Sequence, residues 1–255
     1  MIASGGQRMI PKRIGHIWIG PHPAPEKWMQ SWREKHPGWE YRLYDNDFLL
    51  SRRFRNQHLI NEYVRRGKWA GVSDLMRYEI LFDYGGFLPE ADSICLHPVD
   101  DLFADDIVYT VYEYPDGRTG MMSPFLAAPA QKPLLNDVIE KIGAQSAKDL
   151  NNPWHSTGNG FLKRYFAENP DRKSQVHIFP SHYFIPQHYK GERYVGPDRI
   201  YAEQCWGTTT KSYDFRKGAT AEYKAASNAR SRTLFAQLIE RHPCPVSEDK
   251  TDSAR

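Results

Sequence analysis

Cysteine is scarce in this chain: only Cys95, Cys205 and Cys244 occur in 255 residues, widely spaced and with neither a CxxC pair nor a Cys/His ladder. A reducing compartment and no zinc site are the simplest reading. Long apolar runs are missing too, since no stretch approaches the ~18 consecutive apolar residues that a membrane span needs. The amino terminus has no apolar core of the signal-peptide type. The expectation is a cytoplasmic protein. Charge of one sign is also lacking: 34 Lys and Arg stand against 31 Asp and Glu, a net +3, with both signs interspersed. That balance argues against a dedicated nucleic-acid binder, which concentrates its basic residues. No internal repeat or break in composition marks a second domain. Residues 9–242 therefore read as one domain, with 1–8 and 243–255 as flexible tails.

What the chain has in quantity is aromatic side chains: 7 Trp, 15 Tyr and 12 Phe, at a mean hydropathy of only −0.69. The length is ample for a buried core. Residues 13–19 predict a first strand, stopped by Gly-Pro-His-Pro-Ala-Pro. Residues 25–36 predict a helix, EYRLYD a second strand, and 48–67 a polar helical segment. From Trp69 to Tyr84 the apolar residues Trp69, Val72, Leu75, Met76, Ile80 and Leu81 recur at three- and four-residue intervals, the pattern of an amphipathic helix. Further strands are expected in GGF, DSIC, IVYTVYEY, SPFLAAP and QVHIFPSHYFIP. Helices are expected at Pro133–Ile142, in TGNGFLKRYF and at Ala219–Arg241. Alternating strands and helices imply an α/β domain with a mostly parallel sheet.

The densest chemistry lies in residues 70–101. Asp74 and Arg77 are three apart on a helix and so share a face, where they pair or jointly hold a ligand. Gly85 and Gly86 permit a positive-φ cap and a close turn. A short strand then delivers Glu90 and Asp92, which point the same way if the backbone is extended. Two such carboxylates suit a hard divalent cation, which favours oxygen ligands. Taken alone, the E-x-D tripeptide reads better as a pair of solvated acids near a loop. His182 and His188, six apart, fit neither one helical face nor a usual zinc pair, and are read as structural or acceptor-side.

In context, the order S-D-x-x-R-Y, Leu-x-x-Tyr-Gly-Gly, paired acids and an apolar-Pro-x-Asp turn resembles the sugar-binding region of glycosyltransferase family 32. IPKRIGHIWIG near the amino terminus is similar to that family's opening block. The family includes relatives of α-1,6-mannosyltransferases and capsular polysaccharide sugar transferases and, more distantly, large glucosylating toxins. The resemblance implies a GT-A-like, Rossmann-like three-layer fold, a nucleotide-diphosphate-sugar donor, a divalent cation (Mn2+ or Mg2+) and retention at the anomeric carbon. The acceptor it implies is a saccharide or glycolipid, in surface polysaccharide or glycan synthesis, in the cytoplasm or peripheral at the inner membrane face.

By the same resemblance Asp74, Arg77, Glu90 and Asp92 form the catalytic set. Trp18 stacks on the nucleobase, and Gly20, Gly85, Gly86 and Thr208 complete the nucleotide-sugar contacts. Asp92 stands at the second acid of the family's Asp-x-Asp and is the expected metal ligand. Glu90 replaces the usual first Asp, and its extra methylene leaves ribose contact, metal contact or neither open. Gln204 stands where the family tends to carry His, and is a poorer metal ligand. TGNGFL is similar to an acceptor-side Thr-Gly-Pro turn, with Asn159 in place of Pro, and reads as a structural turn. Two rival functions stand beside transfer to glycans: a non-catalytic nucleotide-sugar or glycan-binding module, and a protein-modifying glycosyltransferase.

Overall fold

A computed structural model describes residues 10–115, 120–216 and 219–244. The elements are β1 (Arg13–Ile17), α1 (Glu26–Lys35), β2 (Glu40–Tyr44), α2 (Asn46–Ser51), α3 (Gln57–Arg65), α4 (Trp69–Tyr84), β3 (Gly86–Phe87) and β4 (Ser93–Cys95). They continue with β5 (Val108–Val111), β6 (Ala127–Ala128), α5 (Pro133–Gly143), α6 (Pro153–Ser156), α7 (Asn159–Glu168), β7 (Val176–Phe179), β8 (Ala202–Gln204) and α8 (Ala221–Arg241). A six-stranded sheet has the order β2-β1-β3-β6-β5-β7. β1 pairs parallel with β2 and β3, and β5 with β7, while β6 is antiparallel to both of its neighbours. Five strands therefore point one way, and the carboxyl ends of β1, β3 and β5 share one edge. The α/β class and mostly parallel sheet expected from the sequence are borne out.

The sheet has a core on each face. On β1, Ile14 packs with Trp32 of α1 and Phe87, whereas Ile17 joins the larger cluster under α3, α4, α5 and α8. That split follows from the two-residue alternation of a strand. The stripe predicted on α4 is buried as expected, but Arg77, Tyr78 and Glu79 are buried as well. The helix is enclosed nearly all round, which marks a central rather than a surface helix.

α4 returns into β3 through a tight turn, so it runs antiparallel to the strand. Its first turn lies at the carboxyl edge of the sheet and its last at the opposite edge. At that last turn Gly85 and Gly86 take φ of +63° and +108°. A Cβ on Gly86 would sit 2.8 Å from the Arg13 carbonyl oxygen, so only glycine lets α4 turn so closely beside β1.

Two local expectations are corrected. The single helical segment at 48–67 divides into α2 and α3. The Asp45 side chain caps α2 by accepting from the Phe48 N–H, and the chain then breaks at Arg52, whose backbone is extended. Glu90 and Asp92 are not on a strand. β3 ends at Phe87, Pro89 has no N–H to continue the ladder, and residues 88–92 form a loop and turn.

The expected tail at 1–8 lies outside the described residues. Of the expected tail at 243–255, only Pro243 and Cys244 are described. The Pro243 carbonyl accepts from Arg53, and Cys244 Sγ from Asn61. Among the described residues no helix is long and apolar enough to cross a membrane.

Candidate active site

The carboxyl edge of the sheet opens into a cavity of about 580 Å³. Trp18 enters it after β1, Glu90 and Asp92 after β3, and Glu113 after β5. Ser73 and Asp74 enter from the first turns of α4, Asn159 from the start of α7, and Gln204, Trp206 and Thr208 from β8 and the segment after it.

Asp92 is the most completely held of these groups. Gln204 Nε2 donates to its Oδ1 at 2.8 Å, and the Gly207 N–H donates to its Oδ2 at 2.8 Å. Gln204 gets there because β4 and β8 pair antiparallel with Ser93 opposite Gln204, and the Cys205 N–H donates to the Asp92 carbonyl at 2.7 Å. The turn is anchored from behind: Trp32 Nε1 donates to Ser93 Oγ at 3.1 Å, and Ser93 Oγ donates to the Glu90 carbonyl at 2.6 Å. Burial pushes the Asp92 carboxyl up to about 6, the nearby Glu90 charge adding to the rise and the two hydrogen bonds opposing it.

Glu90 departs in another direction. Its Oε1 accepts from Arg77 Nη2 at 2.8 Å, and its side chain is 36% exposed. Arg77 itself is 2% exposed. Its Nη1 donates to the Leu88 carbonyl and, at 3.4 Å, to that of Phe125. Arg77 therefore lies beneath the cavity, where it ties the end of β3 to the segment entering β6 and turns Glu90. Arg77 is not among the residues that line the cavity, and Glu90 stands between it and the opening.

Asp74, on the same helix face, neither pairs with Arg77 nor follows it inward. Its Oδ2 accepts from Thr157 Oγ1 at 2.8 Å. Burial raises its carboxyl to about 7, the Thr157 hydrogen bond and the Arg77 charge opposing and the Glu90 charge adding. Raised carboxylates facing a cavity are groups whose cost a cationic or hydrogen-bonding ligand relieves.

Trp18 is half-buried in the cavity wall. Its Nε1 donates to the His22 carbonyl at 2.9 Å, and its ring meets Tyr213 edge-on with centroids 5.2 Å apart. Gly20 is not a lining residue. At φ +103° it sits under Trp69, where a Cβ would lie 2.7 Å from the indole, and Asn46 Nδ2 donates to its carbonyl at 2.9 Å. Gly85 and Gly86 lie at the opposite edge of the sheet, and none of the three glycines lines the cavity. Thr208 lines the cavity as expected, beside Tyr213, whose phenol burial pushes well up.

Glu113 is a lining residue that the sequence reading did not bring to the site, whereas Trp206 and Tyr213 belong to the same YAEQCWGTTTKSY segment as Gln204, and Thr157 opens the TGNGFL turn. For Asn159 the resemblance to an acceptor-side turn was the available signal.

Residues 25–109 match the family model described as a glycosyltransferase sugar-binding region containing a DXD motif. Over those residues the chain is similar to that family. The resemblance read from the sequence is thereby borne out, and the match takes in Asp74, Arg77, Glu90 and Asp92. The sugar-binding region carries Glu-Ala-Asp where the motif's name has Asp-x-Asp. Inositol phosphoceramide mannosyltransferase 1 of Schizosaccharomyces pombe is 26% identical over 152 residues, covering 55% of this chain. The chain spans about half the length of that relative, 45% being matched. Among solved structures, the PaToxG glycosyltransferase superposes with a TM-score of 0.54 at 14% identity, over 91% of this chain and 88% of its own. That likeness concerns the fold alone.

Among the described residues no group of three or more His, Cys, Asp or Glu forms a metal centre. The donor set that is present consists of oxygens alone: two carboxylates and the Gln204 amide. That chemistry fits a hard cation that takes one or two carboxylates and completes its shell with substrate phosphates and water.

Proposed function

We propose that this chain transfers a hexose from a nucleotide-diphosphate sugar to a saccharide or glycolipid acceptor, with a divalent cation and with retention at the anomeric carbon. The observation that carries the reading is the placement of Asp92. It is a carboxylate fixed by Gln204 and the Gly207 N–H, beside Glu90, midway along a cavity whose β1 end presents an indole.

In this reading Trp18 and Tyr213 take the nucleobase, and Asp74, with Thr157 behind it, takes hydroxyls of the donor sugar. Asp92 and Glu90, with the Gln204 amide oxygen, hold the cation. When bound, the cation supplies positive charge against the diphosphate. The sugar–phosphate bond breaks as the acceptor hydroxyl forms its bond to the same face of the anomeric carbon. The departing phosphate oxygen takes the hydroxyl proton, so no dedicated protein base is required. Arg77 acts one step back, by keeping Glu90 aimed.

A panel of UDP- and GDP-hexoses tests the proposal, with thermal shift and donor hydrolysis both read with and without manganese. One donor is expected to raise the melting temperature and to be hydrolysed only with the metal, and Asp92→Asn to abolish turnover. Unchanged metal-dependent turnover in Asp92→Asn overturns the proposal.

One observation favours the rival of a non-catalytic nucleotide-sugar-binding module: both Asp92 oxygens and one Glu90 oxygen already accept protein hydrogen bonds. Binding without hydrolysis across the whole panel selects that module.

A further inference from the structure

Glu113 is a cavity carboxylate that the mechanism above leaves unused. It follows β5 and is 9% exposed. Each of its oxygens has one protein donor. Asn159 Nδ2 donates to Oε2 at 2.8 Å, and His188 Nε2 lies 3.3 Å from Oε1. The proton of the His188 ring is assigned from its other side, where the Lys190 backbone N–H points at Nδ1 at 3.3 Å. Nδ1 is the acceptor, so Nε2 carries the proton and donates to Glu113. His188 is fully buried and stacked on Tyr114 with centroids 4.4 Å apart. A carboxylate has roughly four acceptor sites. Glu113 is thus fixed in direction by two donors and keeps capacity for a ligand.

Its position follows from the sheet. Along the carboxyl edge the order is β1, β3, β6, β5. At about 4.8 Å per strand, β5, which leads to Glu113, stands about 10 Å from β3, which leads to Glu90 and Asp92, on the side away from β1 and Trp18. A base at Trp18 and a diphosphate at Asp92 direct the transferred sugar, and whatever accepts it, toward Glu113.

Two exposed aromatics flank the partners of Glu113. Trp154 is 48% exposed and lies against Gly160, where a Cβ would come within 2.7 Å of its ring, next to Asn159. Tyr189 is 44% exposed, adjoins His188 and packs on the cavity residue Trp206 with centroids 5.1 Å apart. Neither lines the cavity itself, but each adjoins residues that do, Pro153 and Asn159 for Trp154 and Trp206 for Tyr189, and exposed flat faces suit a ring that is apolar on its face and hydroxylated at its edge.

We infer that Glu113, oriented by His188 and Asn159, seats the acceptor, and that the acceptor is a saccharide. Its hydroxyls donate to Glu113, and its ring lies between Trp154 and Tyr189. The inference rests on the glycosyl-transfer reading above, including its saccharide acceptor, and adds the residues that seat that acceptor.

Saturation-transfer NMR on the full chain tests it, with methyl glycosides of mannose, glucose, galactose and N-acetylglucosamine as probes. UDP and GDP with manganese are titrated in parallel. At least one glycoside is expected to bind, at least 10-fold more weakly to E113Q and about 5-fold more weakly to W154A, an exposed position that spares the fold, on the scale of a lost hydrogen bond or stacking contact. Nucleotide affinity should stay within about twofold in both variants, since neither residue lies at the Trp18 end.

Glycosides that fail to bind wild type, or that bind both variants as well as wild type, overturn the inference. If that happens while a nucleotide binds, the donor reading stands and the acceptor seat falls. If glycoside binding depends on Glu113 while no nucleotide binds, the seat stands and the donor reading falls. Octyl glycosides of the sugar that binds separate two sources of the same headgroup: equal affinity assigns a soluble glycan, and tighter binding a glycolipid.

Discussion

The two ends of α4 carry residues of one motif block and do different work. At the first turns Asp74 faces the cavity with a raised carboxyl and one hydroxyl partner. At the far end Gly85 and Gly86 make a turn that no larger residue fits, at the opposite edge of the sheet from the cavity. Between them Arg77 shares a face with Asp74 yet is buried under Glu90 and bonded to two carbonyls. One motif block therefore mixes groups that face the cavity with groups that hold those groups in place, and on the proposed reading only the former meet the substrate. The two kinds separate by stability against binding.

The largest effect should fall on stability, at Arg77. Arg77→Ala leaves the Leu88 and Phe125 carbonyls without their donor and Glu90 without its counter-charge, and should cost about 3 kcal/mol. Denaturant unfolding measures it as a lower midpoint, and a midpoint equal to wild type would return Arg77 to the ligand-contacting class. Next is Asp92→Asn, which should lose at least about 100-fold in transfer, or roughly 3 kcal/mol, while its unfolding midpoint stays close to wild type. Equal losses of stability and turnover would erase the distinction between the two residues.

Gly86→Ala should destabilise by about 1–3 kcal/mol, because a β-carbon strains a positive φ and meets the Arg13 carbonyl. Nucleotide affinity measured on the folded protein should not move, and a 10-fold fall would put Gly86 back in the site.

The smallest effect depends on pH. Asp74 titrates near 7 when folded instead of its ordinary 3.8. The unfolded chain therefore releases that proton first, and stability is lost as pH rises from about 4 through 7. Asp74→Asn removes the loss, so at pH 8 the variant should be more stable than wild type by about 1–2 kcal/mol, and at pH 4 by none. Buried His16 acts in the opposite sense. Its pKa is lowered from 6.5 to about 3, so its contribution grows as pH rises across that window. The informative quantity is therefore the difference between variant and wild type at each pH, and a difference that does not change with pH would show that Asp74 titrates normally.

Much of this was legible in the chain. The 69–84 periodicity, the alternating order of elements and the S-D-x-x-R to E-A-D block all correspond to what the structure holds together. The failures share a physical cause. Periodicity on α4 says which residues share a face and nothing of what covers that face, so Asp74 and Arg77 looked equivalent. Pro89 broke the extended segment that would have put Glu90 and Asp92 side by side. Gln204 and the Gly207 N–H reach Asp92 through a β4–β8 pairing across more than a hundred residues, and His188 reaches Glu113 across 75. Such contacts are set by tertiary packing, which no local pattern encodes.

The most direct test of the central claim is a calorimetric titration of UDP and GDP into wild type and Asp92→Asn, with and without manganese. The claim predicts that one nucleotide binds wild type at least 10-fold more tightly with manganese, and that Asp92→Asn loses this enhancement while keeping its unfolding midpoint. Nucleotide binding indifferent to both manganese and Asp92 would contradict it.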